Sequence, residues 1–432
     1  MEEFVPLIFF AVIIISLLMG YPVAFTLGGV SIIFGTLMLG PEFLALLPLR
    51  IWGVMSNFVL IAVPLFVFMG VMFEKSGIAE ELLETMALIF GKFRGGLAIG
   101  VLLVGALLGA STGIVGATVV TMGVLSLPVM LKRGCSPQDS CGIIGASGTL
   151  GQIIPPSLIL VLLGSVINLP VGDLFMAAVI PGFLLVFLIF LWIVILNFIK
   201  PSAFPPMPEA ELVEFRKGRM KKIFTAFFLP GILVFLVLGT IFLGLASPTE
   251  AAGIGALGAI GLAALRKNLN KGNLKYVMKK TVTITTMALI ILVGATAFSL
   301  VFRELEGDVI LTDIIMASEI SPGIFLFLVM LIIFLAGFLI DFIEIIFIIV
   351  PIVEPIFRHF GMDMMWIAIL IAMNLQTSFL TPPFGFTLFY LKGVAPPEVR
   401  TIDMYKGMIP YIIIQLLALT LVVTFPGIVR LL

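Results

Sequence analysis

The chain has 432 residues, of which 61% are hydrophobic and 11% charged, and its formal net charge is zero. Soluble proteins carry about 25% charged residues, so this composition excludes an ordinary soluble domain. Nucleic acid is not expected as a partner, because surfaces that bind it are strongly basic. Two cysteines and one histidine are too few for a structural zinc site.

Apolar runs long enough to cross a bilayer recur along the whole chain. Lipid offers no hydrogen-bond partner to backbone amides, so runs of this length must be helical. A membrane β-barrel would instead show short segments of alternating hydrophobicity. The predicted fold class is therefore all-α, a polytopic membrane protein. We predict about ten transmembrane helices, at residues 4–20, 22–39, 54–73, 142–164, 174–199, 223–244, 249–265, 281–302, 366–391 and 407–428.

The first apolar stretch that does not fit a single span is 96–131, which carries glycine at its middle. Basic residues flank it on both sides: Lys92, Arg94, Lys132 and Arg133. Because basic residues mark cytoplasmic loops, both ends are predicted to lie in the cytoplasm. The stretch is either a re-entrant hairpin or a pair of spans, and arms of about 15 residues favour the hairpin.

A polar segment divides the chain near its middle. Residues 201–222, PSAFPPMPEAELVEFRKGRMKK, are rich in proline and basic residues and are predicted to form a cytoplasmic linker. The linker separates a first half, 1–200, from a second half, 223–432.

The second half contains a comparable long apolar stretch at 323–357. The preceding segment, 303–319, holds five acids and one base, so we expect it to be periplasmic. Since the stretch follows Glu319 and precedes Asp363, both of its ends are predicted to lie on the periplasmic side of the membrane. It would be a second re-entrant hairpin, opposed to the first.

Proline positions in the two halves match. Three sets recur at offsets of 227, 227 and 226 positions: Pro155-Pro156 with Pro382-Pro383, Pro128 with Pro355, and Pro22 with Pro248. Because each half holds five spans and a hairpin, the second copy enters the membrane from the opposite side. An inverted-topology repeat of this kind is characteristic of secondary transporters.

Glycine, hydroxyl and proline residues concentrate in four segments at predicted membrane depth. They are GALLGASTGIVGAT (105–118), GASGTLGQIIPPS (145–157), GFLIDF (337–342) and NLQTSFLTPPFG (374–385). A double proline removes two amide donors and breaks a helix, so the preceding carbonyls need another partner. A sodium ion is a suitable partner, since it prefers oxygen ligands and the negative ends of half-helices. The alternative interpretation is that glycine and proline only pack and kink the helices.

Three acids lie inside the second long apolar stretch. Asp341 is four residues after Gly337, at the predicted hairpin tip, and we expect it to serve an ion path or a paired site. Glu344 and Glu354 are expected to snorkel or to face a water-filled cavity. No Walker A, HExxH or serine-hydrolase sequence occurs, so an enzyme is not predicted.

Five of these segments together resemble a known family. SPTEAAGIGA (247–256), PLFVFMGVMFEKSGIAEEL (64–82), GALLGASTGIVGAT, GQIIPPS and LTPPFG resemble the large membrane subunit of tripartite ATP-independent periplasmic (TRAP) transporters, in collinear order along nearly the whole chain. The segment NLQTSFLTPPFGFTLFYLKGVAP looks most like the mannitol/chloroaromatic-type branch.

The resemblance implies a location and a mechanism. The chain would lie in the inner (plasma) membrane of a bacterial or archaeal cell and take up organic acids with sodium as the coupling ion and no other cofactor. Its partners would be a small four-span membrane subunit and a periplasmic substrate-binding protein. Two hairpins and two broken helices would move together as an elevator against the remaining spans.

The resemblance also implies two sodium sites. The first would use the first hairpin tip and broken helix: Ser111, Thr112 and Gly113, with carbonyls of Gly151, Ile154 and Pro156. The symmetric site would use Gly337 and Asp341 with Thr377, Ser378, Thr381 and Pro383. Many family members carry Ser-Gly-Ser at the first tip, where this chain has Thr112-Gly113-Ile114, so a backbone carbonyl or Ser111 would replace one hydroxyl.

Three alternatives remain open from the sequence. One is a stand-alone sodium/organic anion symporter of related architecture that needs no binding protein. A membrane enzyme would need a convergent catalytic set, which the sequence lacks. A channel could also contain two hairpins, but a sodium gradient would not drive its flux uphill.

Overall fold

The computed structural model describes residues 4–206 and 227–431. Over these residues the chain forms 19 α-helices, joined by turns and short 3-10 segments, and no strand. The predicted all-α class is therefore confirmed.

The first half contains ten helices. They are α1 Val5–Leu18, α2 Val23–Leu39, α3 Leu46–Met55, α4 Ala62–Lys75, α5 Ile78–Phe90, α6 Gly96–Thr112, α7 Val115–Lys132, α8 Pro137–Thr149, α9 Leu158–Ile167 and α10 Val171–Ile199.

The second half contains nine helices within the described residues. They are α11 Leu229–Phe242, α12 Pro248–Leu265, α13 Lys271–Glu304, α14 Gly307–Ala317, α15 Pro322–Ala336, α16 Phe342–His359, α17 Met364–Leu380, α18 Phe386–Val394 and α19 Thr401–Thr424.

Many of these helices start at a side chain that caps the first turn. Ser136 accepts a hydrogen bond from the Asp139 amide at 3.1 Å and so opens α8. Ser247 and Glu250 form a capping box at the start of α12. Caps of this kind accept hydrogen bonds from first-turn amides that have no partner within the helix, and so they define the residue at which each helix begins.

Six helical segments in the described part of the chain are long and apolar enough to cross a membrane. They are Phe58–Lys75, Val115–Lys132, Val171–Ile199, Pro248–Leu265, Lys271–Glu304 and Thr401–Thr424. Seven shorter helices of 10–17 residues are also apolar. The prediction of a polytopic membrane protein is confirmed, while the number of crossings stays a prediction.

Several helix boundaries differ from the predicted spans. The predicted span 54–73 contains a break, because α3 ends at Met55 and a 3-10 segment, Phe58–Ile61, precedes α4. The predicted span 281–302 is only part of α13, whose 34 residues make it longer than the bilayer core is thick. Helices α3, α5 and α14 were not predicted. α3 has only ten residues, and α5 and α14 carry acids in their first turns and lack a long apolar run.

The helix order of the first half recurs in the second. Helices α6 to α10 correspond to α15 to α19, and the starting residues of the five pairs lie 226 to 230 positions apart. In each copy two antiparallel arms precede a helix that is interrupted near its middle. We call α6–α7 the first hairpin, α8–α9 the first broken helix, α15–α16 the second hairpin and α17–α18 the second broken helix.

The start of the predicted linker packs against the first hairpin. Ala203 and Phe204 are fully buried, and their carbonyls accept hydrogen bonds from Ser136 and Gly95. These residues therefore tie the end of α10 to the two ends of the hairpin. The rest of the linker, 207–222, lies outside the described residues, so the boundaries of the two halves stay predictions.

Each hairpin contacts the broken helix of its own half at a glycine. A Cβ atom added at Gly109 would lie 2.7 Å from the Gly151 Cα atom, and one at Gly337 would overlap the Ser378 side chain. On the other side of the first hairpin, a Cβ atom at Gly70 of α4 would overlap Thr112. At Gly109 and Gly70 glycine is needed because two backbones meet with no room for a side chain, whereas at Gly337 the Ser378 side chain fills the space.

The re-entrant arrangement can be tested by cysteine labelling. In a background with the buried Cys135 and Cys141 replaced by serine, cysteines placed at 94 and 133 are expected to react only from the cytoplasm. Cysteines at 320 and 361 should react only from outside. Because α7 alone has the length of a span, a single crossing is the alternative that this test addresses. Reaction of either pair from opposite sides would show an odd number of crossings and would contradict a hairpin.

The glycine contacts can be tested by thermal unfolding in detergent. Gly109→Ala is expected to lower stability by about 1–3 kcal/mol, because an added methyl group overpacks the contact with the broken helix. Gly253→Ala in α12 is the matched control, since a Cβ atom there meets nothing within 4 Å. The control should be neutral or stabilising by roughly 0.5–1 kcal/mol. Equal effects at both positions would contradict the packing described.

Candidate functional site

The tip of the first hairpin is a tight turn closed by two hydroxyls. Gly113 has a φ of 61°, in the left-handed region that favours glycine, and its amide donates to the Gly109 carbonyl at 2.8 Å. The hydroxyls of Thr112 and Thr118 lie 2.7 Å apart, so they bridge the ends of the two arms. Thr118 was not among the predicted site residues, because the sequence does not show which residue of α7 faces the tip.

The first broken helix is interrupted beside this tip. α8 ends at Thr149, a 3-10 turn covers Leu150–Gln152, and α9 starts only at Leu158. A Cβ atom on Gly113 would lie 3.7 Å from the Pro156 carbonyl oxygen, so the tip and the break are neighbours. The predicted residues Gly113 and Pro156 are thus brought together.

Two of the predicted residues in this half face other partners. The Ser111 hydroxyl donates to the Leu107 carbonyl at 2.8 Å, within its own helix. The Ile154 side chain packs near Gly182 of α10, 3.3 Å from the position of a Cβ atom there, whereas the predicted ligand is the Ile154 carbonyl. A hydroxyl that donates to a carbonyl of its own helix keeps its lone pairs, so Ser111 stays a candidate ligand beside Thr112 and the backbone oxygens.

The second hairpin turns over five residues, 337–341, and Asp341 ends the turn. Its Oδ1 atom accepts a hydrogen bond from the Phe342 amide at 2.7 Å, while Glu344 Oε2 accepts from the Asp341 amide at 3.2 Å. The two acids form a capping box at the start of α16. Their negative charge lies at the positive end of that helix, which stabilises it without a basic partner.

The second broken helix presents hydroxyls just before its break. Thr377, Ser378 and Thr381 each donate to a carbonyl three or four residues earlier in the same helix, at 2.8–2.9 Å. A hydroxyl that donates in this way keeps its lone pairs for a cation. Of the predicted residues, Ser378 lies against Gly337, whereas the Pro383 carbonyl accepts from the Tyr405 hydroxyl at 3.3 Å and so faces α19.

The first hairpin contacts the second broken helix at Tyr390 of α18. A Cβ atom added at Gly116, on α7 of the first hairpin, would lie 2.7 Å from the Tyr390 ring. Tyr390 was not predicted, because nothing in the sequence links its position to either tip.

The two broken helices also meet directly. The Gln376 amide donates to the Thr149 hydroxyl at 3.3 Å, and both side chains are fully buried. These residues lie 227 positions apart, the same offset as the repeated prolines. Equivalent positions of the two copies therefore touch at the centre of the site.

A separate cavity of about 440 Å³ opens beside the α9–α10 turn, the ends of α16 and α17 and the C-terminal segment. Its charged residues are Asp173, Arg358, Asp363 and Arg430. Arg430 pairs with Asp363 at 2.7 Å, and Arg358 pairs with Glu354 while donating to the Ile167 carbonyl at 3.0 Å. Arg358 thus caps the end of α9. Because Glu354 pairs with Arg358, it has a structural role in holding this cap.

The donor set at the two tips consists of backbone carbonyls, hydroxyls and one pair of carboxylates. Within residues 4–206 and 227–431 there is no cluster of three or more His, Cys, Asp or Glu side chains that could hold a metal. Oxygen donors without nitrogen or sulfur suit a hard cation such as sodium.

Comparison with known proteins identifies the family. The family model described as "Tripartite ATP-independent periplasmic transporter, DctM component" matches residues 10–428. The chain is 28% identical to the C4-dicarboxylate TRAP transporter large permease protein DctM of Pseudomonas aeruginosa, over 91% of this chain and 90% of that one. It is also 28% identical to the sialic acid permease SiaM of Vibrio cholerae, covering 94% and 93%. The ectoine permease TeaC of Halomonas elongata is 28% identical, covering 95% of each chain.

Among solved structures, the YdaH transporter of Alcanivorax borkumensis has a similar fold, with a TM-score of 0.65 over 91% of this chain and 90% of that one. At 17% identity this likeness concerns the fold alone. The relatives are transport permeases, not enzymes, as the sequence predicted, while the mannitol/chloroaromatic branch stays a prediction. The chain therefore belongs to the DctM-component family of TRAP transporters and is a multi-pass inner-membrane permease subunit.

Proposed function

We propose that this chain imports organic acids, driven by a sodium gradient, after a periplasmic binding protein has delivered them. A small four-span subunit would complete the membrane complex. Relatives named for C4-dicarboxylate and sialic acid support an organic acid as the substrate. The observation that carries the proposal is that in both halves a hairpin tip lies against a broken helix, at Gly113 with Pro156 and at Gly337 with Ser378.

Each of these contacts provides the elements of a sodium site. Breaking a helix frees carbonyl oxygens at membrane depth, where only a cation or a hydrogen-bond donor can compensate. The half-helix that ends at the break adds partial negative charge. We assign Ser111, Thr112 and Gly113 to the first site, with the carbonyls of Gly151, Ile154 and Pro156.

The second site is assigned to the second tip and its broken helix. Gly337, Ser378 and Thr377 are the residues closest to the contact, while Thr381 and Pro383 follow at the break. Asp341 supplies net negative charge beside them, since its carboxylate has no basic partner among the described residues. Sodium binding would offset the cost of keeping that charge within the membrane.

The same contacts support an elevator movement. Glycine-mediated packing holds each hairpin on its broken helix, and the two broken helices are joined by the Gln376–Thr149 hydrogen bond. These four elements would therefore move as one body. The contact of Gly70 of α4 with Thr112 would be part of the interface along which that body slides.

The role of Asp341 can be tested by Asp341→Asn. Asparagine keeps the shape and can still cap α16, so the change removes mainly the charge. We expect a roughly tenfold higher sodium concentration for half-maximal uptake, equivalent to about 1.4 kcal/mol, with folding preserved. Ser378→Ala should shift the sodium dependence in the same direction but less, because it removes one neutral ligand. The measurement is uptake in proteoliposomes over a series of sodium concentrations.

Asp363→Asn is the matched control for this experiment. Asp363 also caps a helix, α17, but it pairs with Arg430 at the end of that helix away from the break. Its replacement should leave the sodium dependence unchanged. Unchanged sodium dependence in Asp341→Asn as well would leave the carboxylate with only its capping role and would misplace the second site.

A further inference from the structure

One face of the first broken helix carries Gly145, Thr149 and Gln152, spaced at i, i+4 and i+7, so they follow one another along that face. Its two polar side chains are Thr149, which accepts from Gln376 of the second broken helix, and Gln152, which ends the closing 3-10 turn three residues later.

Side chains of the second broken helix meet this face at two levels. Gln376 donates to Thr149 at 3.3 Å, and a Cβ atom on Gly145 would lie 3.2 Å from the Thr387 Cγ2 atom, with Met408 of α19 closer still. From Gly145 to Gln152 the face extends about 10 Å, at 1.5 Å per residue. A seam therefore runs between the two broken helices, from Thr387 at one end past Gln376 to Gln152 at the other.

These polar groups lack partners within the described part of the chain. Neither the Nε2 nor the Oε1 atom of Gln152 has a hydrogen bond, and the Oε1 atom of Gln376 and the Oγ1 atom of Thr387 also have none. All three side chains are 0% exposed. Buried polar atoms in proteins almost always have a partner, protein or ordered water, because burying them unpaired is costly.

We propose that internal water molecules bind in this seam, held by the carboxamides of Gln152 and Gln376 and the hydroxyl of Thr387. Among the unpaired atoms, Gln152 Nε2 is a donor, the Oε1 atoms of Gln152 and Gln376 are acceptors, and the Thr387 hydroxyl is both. A ligand that pairs with all of them must therefore donate and accept hydrogen bonds. A cation would be repelled by the Gln152 amide hydrogens, and an anion by the two carbonyl oxygens. Water satisfies both kinds of group and commonly makes about three hydrogen bonds in such sites.

Bound water would join the two broken helices beyond their one direct hydrogen bond. Gln152 follows Gly151, which we assign to the first sodium site, so the seam begins beside that site. The inference rests on the fold and on the unpaired atoms, and not on sodium coupling. Its failure would leave the proposed function standing, because the tests below measure stability and density without transport.

The first test is a double-mutant cycle on thermal unfolding of the full chain in detergent. Methionine matches the length of glutamine but cannot hold water. Gln152→Met and Gln376→Met are each expected to lower Tm by about 2–4 °C, because displaced water leaves the remaining polar groups unpaired. The double variant should lose less than the two losses together, since both changes remove the same water.

Thr285→Val is the matched control. Thr285 of α13 also carries a buried hydroxyl without a partner in the described residues, but it lies outside the seam. Its effect on Tm should add to that of Gln152→Met without coupling. If the glutamine variants raise Tm, or if their effects simply add, no water is shared and the proposal is wrong.

The second test is direct observation in the unmodified protein. A density map at about 2 Å resolution should show water within about 3 Å of the Gln152 carboxamide. A map in which Gln152 and Gln376 bond directly to each other, with no water density between them, would overturn the proposal even if the variants fail to fold.

Discussion

A backbone carbonyl at membrane depth needs a partner, and the double prolines at 155–156 and 382–383 remove the usual one. Lipid cannot replace it, so whatever surrounds each break must. In both halves the surroundings include a helical hairpin whose tip lies against the broken helix. This requirement accounts for the glycines at the tips, the hydroxyls before the breaks and the carboxylate of Asp341.

The close fit between hairpin and broken helix has a mechanical consequence. Gly109 packs on Gly151 and Gly337 on Ser378, so each hairpin is closely packed on its broken helix. The contact of Thr149 with Gln376 then links the two copies at equivalent positions. A body assembled in this way would carry both proposed ion sites across the membrane together.

Much of this arrangement could be predicted from the sequence, because its signals are local. Apolar run length gave the helical membrane class, and the recurring Pro-Pro pairs marked where α8–α9 and α17–α18 are interrupted. Helices α5 and α14 could not be predicted in the same way, since acids in their first turns interrupt the apolar pattern.

Contacts that depend on how distant helices are oriented towards each other could not be predicted from the sequence. Three examples are the Thr112–Thr118 pair, the contact of Tyr390 with the first hairpin and the seam at Gln152. Each joins elements whose relative rotation is set by tertiary packing. For Asp341 the sequence predicted the position but not the contact. Its place at a tip was predicted, but its capping of α16 depends on where the turn ends, which the sequence pattern leaves open by several residues.

The central claim is that a sodium gradient drives this subunit, and its most direct test is uptake in proteoliposomes that hold the chain with its small subunit. Candidate organic acids would be supplied with the binding protein, under an inward sodium gradient or with potassium in its place. The account predicts accumulation above the external concentration only when the sodium gradient and the binding protein are both present. Equal accumulation after the sodium gradient is dissipated would contradict it, and uptake without the binding protein would indicate a stand-alone symporter.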